Sequence, residues 1–216
     1  LNKANVKIIG SHQGFSNGPD GPMAEPFEDV ALMRVLPEMT VLNPIDYNQA
    51  IKAVKKAASV IGPVYLRLGK AKTAHITTRD TPFEIGQSYI LKEGTDVTIA
   101  TTGPITAEAL FAARKLTVDH KINSEVIAVP TIKPLDQETI LNSVKKTGRL
   151  VTVEEHQIAG GLGSAISEML AQKHPTPTTF IGMEDSFGES GDYKKLLSKY
   201  KMDGQSIVDK VLKGIK

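Results

Sequence analysis

The feature that most constrains this chain is a repeated alternation of short β-rich apolar runs with helical patterns. Residues 6–12 (VKIIGSH) read as a strand running into a glycine-rich loop. Residues 28–36 (EDVALMRVL) follow, with an apolar stripe at Val30, Leu32, Met33, Val35 and Leu36 that Pro37 stops. A buried strand is expected at 40–44. The helix expected at 46–59 opens on Asp46 as N-cap and sets Ile51, Val54 and Ala58 on one face. Residues 63–69 (PVYLRLG) are the next strand. The pattern then breaks over 70–87, which is polar, threonine-rich and without period, and reads as a linker. It resumes with strands at 96–103, 124–131, 149–156 and 178–184. Helices are expected at 106–116, 136–147 and 160–173, and two terminal ones at 192–200 and 206–215. Such alternation implies α/β architecture with parallel sheets and right-handed crossovers. The first half supplies only three strands, which leaves a raw sheet edge. That half is expected to be incomplete and to need missing N-terminal sequence or another subunit.

Composition narrows the functions such a fold can have. The 216 residues contain no cysteine, which removes disulfides, thiolate nucleophiles and zinc–thiolate sites together. The formal charge is +2 with the lysines scattered, so no basic stripe invites nucleic acid. No apolar run approaches the ~20 residues of a membrane helix, and the polar start lacks the apolar core of a signal peptide. The chain begins at Leu1 rather than Met, so it reads as a piece of something longer, and a cytoplasmic location is expected.

In parallel α/β sheets, ligands sit beyond the carboxyl ends of the strands. The loop at 10–29 (GSHQGFSNGPDGPMAEPFED) and the stretch LRLGK both lie at such ends and should face one crevice. They bring His12, Asp20 and Lys70. A histidine and a carboxylate can bond hydroxyls and a lysine can bond phosphate, so the trio suits a phosphorylated polyol. The glycines of GGLG (160–163) precede a helix and lack the full dinucleotide pattern, so tight strand-to-helix packing is the favoured reading over an anion site. In VEEH (153–156) strand alternation keeps the three polar side chains from converging, and they read as a strand-end surface feature. His75, His120 and His174 have no partner at metal-ligand spacing and receive no role.

Several separate stretches then carry a resemblance. SHQGFSNGPDGP, EDVALMRVLPEMTVLNPIDYNQA and GPVYLRLGK resemble the second half of the thiamine-diphosphate-binding pyrimidine domain of transketolases. IKPLD (132–136), VTVEEHQIAGGLGSA (151–165) and SFGESGDYKKLL (186–197) are similar to the transketolase C-terminal domain. The wording is nearest to the C-terminal subunit of split, two-chain transketolases. The resemblance implies an incomplete pyrimidine domain over 1–72, a linker over 73–87 and a separate α/β C-terminal domain with a mainly parallel sheet over 88–216.

It also implies transfer of a two-carbon ketol unit between phosphorylated sugars, with thiamine diphosphate and Mg²⁺ in the assembled enzyme. Partners would be an N-terminal subunit or section and a second copy through the C-terminal domain. By the same resemblance, His12 lies near the acceptor phosphate, Asp20 bonds a substrate hydroxyl, and Lys70 stands where the family has a phosphate-binding arginine. Lysine keeps that charge without the bidentate fork.

Two departures matter. Where the family loop reads Gly-Pro-Thr-His-Gln or a near variant, this chain has Gly21, Pro22, Met23, Ala24 and Glu25. Ala24 therefore replaces a histidine that would bond the donor sugar. The family glutamate that activates the cofactor, and the metal-binding Gly-Asp-Gly signature, are not in these residues, so this chain alone is expected to bind neither cofactor nor metal. Deoxyxylulose-phosphate synthase is the nearest alternative. It shares the KPLD stretch but carries an arginine just upstream, where this chain has Pro130. The dehydrogenase β subunits of 2-oxo acid complexes are more distant. Ala24 also leaves open a non-catalytic partner subunit.

Overall fold

A computed structural model describes residues 4–215 of the chain. Its strands are β1 (Lys7–Gly10), β2 (Thr40–Leu42), β3 (Val64–Arg67), β4 (Tyr89–Lys92), β5 (Val97–Thr101), β6 (Ser124–Ala128), β7 (Thr131–Lys133), β8 (Leu150–Gln157) and β9 (Thr178–Met183). Its α-helices are α1 (Asp29–Arg34), α2 (Tyr47–Ser59), α3 (Thr106–His120), α4 (Gln137–Thr147), α5 (Leu162–Lys173), α6 (Tyr193–Lys199) and α7 (Gly204–Ile215). No helix among the described residues is long and apolar enough to cross a membrane.

Local chemistry sets the helix starts. The Asp46 side chain accepts from Gln49 N at 2.9 Å to cap α2, Asp136 accepts from Thr139 N at 3.1 Å to cap α4, and Asp192 caps α6 through Lys194 N and Lys195 N. Gly148 closes α4 in the left-handed conformation. Asp46 does a second job. It also accepts from Ile76 N and Thr77 N, and so pins the strandless stretch after β3 against α2. Lys56 pairs with Glu84 across the same contact at 2.7 Å.

The strands form two sheets, ordered β1-β3-β2-β7 and β4-β6-β5-β8-β9. In the first, β1, β3 and β2 run parallel, with Gly10 opposite Arg67. The second is parallel apart from β4, which pairs antiparallel with β6. The fold is therefore the two-sheet α/β arrangement expected, with two differences. The first sheet has four strands, not three: β7, from the second half of the chain, adds antiparallel to β2 and covers that edge. β1 remains at the other edge, with Ile8 and Ile9 partly exposed. β4 lies just past the 70–87 stretch, where no strand was expected before 96; its four residues are too few to show a period.

Two helix faces also differ from expectation. On α2 the buried positions are Gln49, Ala53 and Ala57, while Ile51, Val54 and Ala58 are exposed. Small residues let the helix lie close to its sheet, and the larger apolar side chains turn outward. On α1 only Val30 is buried, and Leu32, Val35 and Leu36 are exposed.

The cores join the halves. One cluster combines Val30, Met39, Val41 and Tyr65 with Ala100, Ile127, Ile140 and Leu162. Another embeds Phe15 and Phe27 of the opening loop among Ile99, Val153, Leu196 and Met202. The loop is thus built into the core of the second half.

Candidate substrate site

Because β1 and β3 are parallel neighbours, their carboxyl ends open side by side, and the loops that follow them must meet. Leu68 N donates to Gly10 O at 2.7 Å and Gln13 N to Leu68 O at 3.2 Å. The opening loop then folds into two 3₁₀ turns, Gly14–Asp20 and Pro22–Ala24. Phe15 and Asn17 are buried and Asp20 is exposed.

Lys70 and Asp20 come together as expected. Lys70 Nζ donates to Asn17 Oδ1 at 2.6 Å and reaches Asp20 Oδ2 at 3.4 Å, while Lys70 N donates to Ser16 Oγ. The Asn17 side chain and then Lys70 hold the Asp20 carboxyl below the usual carboxylate range. His12 sits on the same loop, half-buried, with a left-handed backbone (φ 67°) and Nδ1 2.6 Å from Ser11 Oγ. Its charge adds a small downward pull on Asp20. Both partners of the Lys70–Asp20 pair are more than half exposed, so a ligand can reach each of them. Lys70 also borders a groove of about 570 Å³ between α2 and the residues after β3, walled by Tyr47, Ile51, Val54, Lys72 and His75. Ala24 is half-buried and Met23 fully exposed.

Under this rim lies a buried polar junction that sequence reasoning missed. Arg67, at the end of β3, is 1% exposed. Its Nε donates to Asp29 Oδ2 (2.7 Å), Nη1 to Gln13 Oε1 (3.3 Å), and Nη2 to Pro26 O (2.8 Å) and Glu155 O (3.0 Å). One side chain thereby ties both ends of the opening loop, α1 and β8. Tyr65 OH donates to the same Asp29 oxygen at 2.6 Å. Burial alone would raise the Asp29 carboxyl; Arg67 outweighs it and holds the group low. The available signal was a charged residue inside the apolar run VYLRL.

The VEEH reading requires correction. Glu154, Glu155 and His156 are all buried, not a surface feature. Strand alternation does send them to opposite faces, but β8 lies between β5 and β9 and both faces are covered. Glu154 accepts from Leu162 N and Gly163 N at the start of α5, so the acceptor at that glycine-led helix is the protein's own carboxyl group. A Cβ on Gly161 would stand 2.1 Å from Glu154 Oε2, which is why this turn admits only glycine. On the opposite face, Glu155 accepts from Phe15 N (2.6 Å) and Tyr193 OH (3.2 Å). Burial pushes both glutamates up to about 7 against these donors.

Burial depresses His156 to about 4, so its ring is neutral near pH 7. Ala31 N donates to Nε2, which puts the ring proton on Nδ1, where it bonds Gln157 O at 2.7 Å.

Among the described residues, no group of three or more His, Cys, Asp or Glu side chains is placed to hold a metal ion.

Comparison with known proteins agrees with the geometry. Residues 1–75 match the family described as transketolase, pyrimidine binding domain, and residues 86–207 the family described as transketolase, C-terminal domain. A 6-deoxy-6-sulfo-D-fructose transketolase subunit of Clostridium sp. (strain MSTE9) is 40% identical over 94% of this chain and 63% of its own length. A putative transketolase C-terminal section of Methanocaldococcus jannaschii is 39% identical over 99% of this chain and 67% of its own. A solved structure described as a split gene transketolase, inactive beta4 tetramer, superposes with a TM-score of 0.91 at 42% identity, covering 99% of this chain and 68% of that one. The chain thus spans about two thirds of the length of each of these three relatives. It belongs to the transketolase family and carries pyrimidine-binding and C-terminal domain sequence of that family.

Proposed function

We propose that this chain is the C-terminal section of a thiamine-diphosphate-dependent transketolase, inactive alone, that moves a two-carbon ketol unit between phosphorylated sugars. The observation that carries the reading is the meeting of Lys70, Asn17 and Asp20 at the carboxyl ends of two adjacent parallel strands. Lys70 takes the anionic tail of the sugar, Asp20 a hydroxyl, and His12 lies at the acceptor end. The bound cofactor supplies carbanion chemistry; this chain binds and orients sugar and walls the channel. The cofactor pyrophosphate and Mg²⁺ are held with an N-terminal subunit or section. A second copy pairs through residues 88–216, a domain joined by 73–87 to the pyrimidine-domain segment at 1–72. The complex works in the cytoplasm.

Mixing the chain with the complementary N-terminal section and assaying ketol transfer tests this. Restored turnover that is lost in Asp20→Ala supports it; a stable complex without turnover overturns it. The second outcome would favour a non-catalytic subunit, a reading Ala24 keeps alive because a methyl cannot donate a hydrogen bond. Where turnover is restored and Ala24 is its weak point, Ala24→His should raise turnover with ordinary ketose donors by roughly tenfold, the worth of one hydrogen bond regained.

A further inference from the structure

The opening loop and the segment leading into α6 are in intimate contact. Gly191 N donates to Gly18 O at 2.9 Å, and Phe15 stacks on Tyr200 with ring centroids 4.9 Å apart. Glu25 is shut between these two pieces of chain. It is 4% exposed, and neither carboxyl oxygen has a hydrogen-bond partner. A Cβ on Gly188 would fall 1.9 Å from its Oε2, so the backbone of the 184–191 loop lies directly on the carboxyl group. The groups around it are the acids Glu189 and Glu155 and the phenol of Tyr200. Among the described residues no cation pairs with it: Lys199 is bonded to Glu189, and Arg67 is committed to Asp29, Gln13, Pro26 and Glu155.

An ionised carboxylate buried without donors is costly, whereas the neutral acid is tolerated. We propose that Glu25 is a positioning residue: as a neutral acid it lets the 184–191 loop close over the opening loop and seat Asp20, and on releasing its proton to solvent it lifts that loop. Burial, then the facing Glu189, pushes its carboxyl up to about 7. The seated form therefore holds a proton that the lifted form gives up in the ordinary carboxylate range. Seating is strongest at low pH, weakens as pH rises through that window, and is constant above about 7. Glu155 accepts from Phe15 N and adds a slope of the same sign, so the comparison must isolate Glu25.

Hydrogen exchange of the intact chain, followed on peptides covering 13–26 and 184–192, tests this without any assay of turnover. The ratio of loop opening in wild type to that in Glu25→Gln should rise by up to about tenfold per pH unit between about pH 5 and pH 7, then level off. A ratio independent of pH overturns the proposal. Glu189→Gln, in the 184–191 loop itself, is a second variant and serves where Glu25→Gln folds poorly. It removes the facing charge, so the wild-type transition should move to lower pH; an unmoved transition also overturns the proposal. The consequence for catalysis rests on the proposed role of Asp20. In the assembled enzyme KM should rise with pH in wild type and stay flatter in Glu25→Gln, with kcat unchanged. A loop that lifts with pH beside a KM that does not follow would overturn the role of Asp20 and leave the latch standing.

Discussion

Arg67 and Lys70 are three residues apart at the same strand end, carry the same charge and each meets an aspartate, yet they live under different physics. Arg67 is sealed in, donating to an acceptor on every partner it touches. Lys70 stands at the rim, half-exposed, its contacts open to water. A buried charge must be fully paired to be tolerated and is then hard to exchange. An exposed one is screened, holds its partner weakly and can trade it for a ligand. The junction beneath sets where the loop lies, and the rim above is free to bind.

The largest expected effect tests the junction. Arg67→Met should cost about 3–5 kcal/mol, because it strands Asp29 and two carbonyls; a urea titration that moves by less than about 1 kcal/mol would show that water replaces the guanidinium. The pH dependence comes next. Glu154 and Glu155 keep their protons to about 7 in the fold and lose them near the ordinary glutamate range when unfolded. Their contribution to stability is therefore greatest at low pH and falls as pH rises to about 7. Glu155→Gln should flatten that fall by up to about 3 kcal/mol. His156, depressed to about 4, works the other way, and its share is lost as pH drops below about 6.5. Urea midpoints at about pH 5 and pH 7.5 separate the slopes. Smaller again is Gly188→Ala, whose methyl overlaps Glu25; a loss of about 1–3 kcal/mol is expected by thermal melting. The smallest effect on stability sharpens the contrast. Lys70→Met should leave the urea midpoint unmoved, yet raise KM for a phosphorylated sugar by roughly tenfold to a hundredfold in the assembled enzyme. Should Lys70→Met unfold the chain, the rim would be part of the scaffold and the comparison would fail.

Much of this was legible in the sequence where the signal is local. Asp46 marks a helix start that its side chain does cap, and the helices expected at 136–147 and 192–200 begin where Asp136 and Asp192 prove to cap them. The meeting of Lys70 with Asp20 followed from the rule that loops at the carboxyl ends of neighbouring parallel strands converge. The junction was not legible. Arg67 reads as one charge in an apolar run, and its partners Gln13, Asp29 and Glu155 lie from 38 to 88 positions away. Ile51 and Val54 misled because helical period shows that an apolar face exists but not which face a neighbour covers.

The sequence by itself determined the alternation of strands and helices apart from β4, the Asp46 cap, the membership in the transketolase family and the loops that would meet. The tertiary structure alone decided that β7 crosses to the first sheet, that β8 is covered on both faces, and that Glu25 is shut beneath Gly188. Periodicity and caps are written in a few consecutive residues, whereas burial and the fate of a proton depend on which distant segment comes to lie alongside.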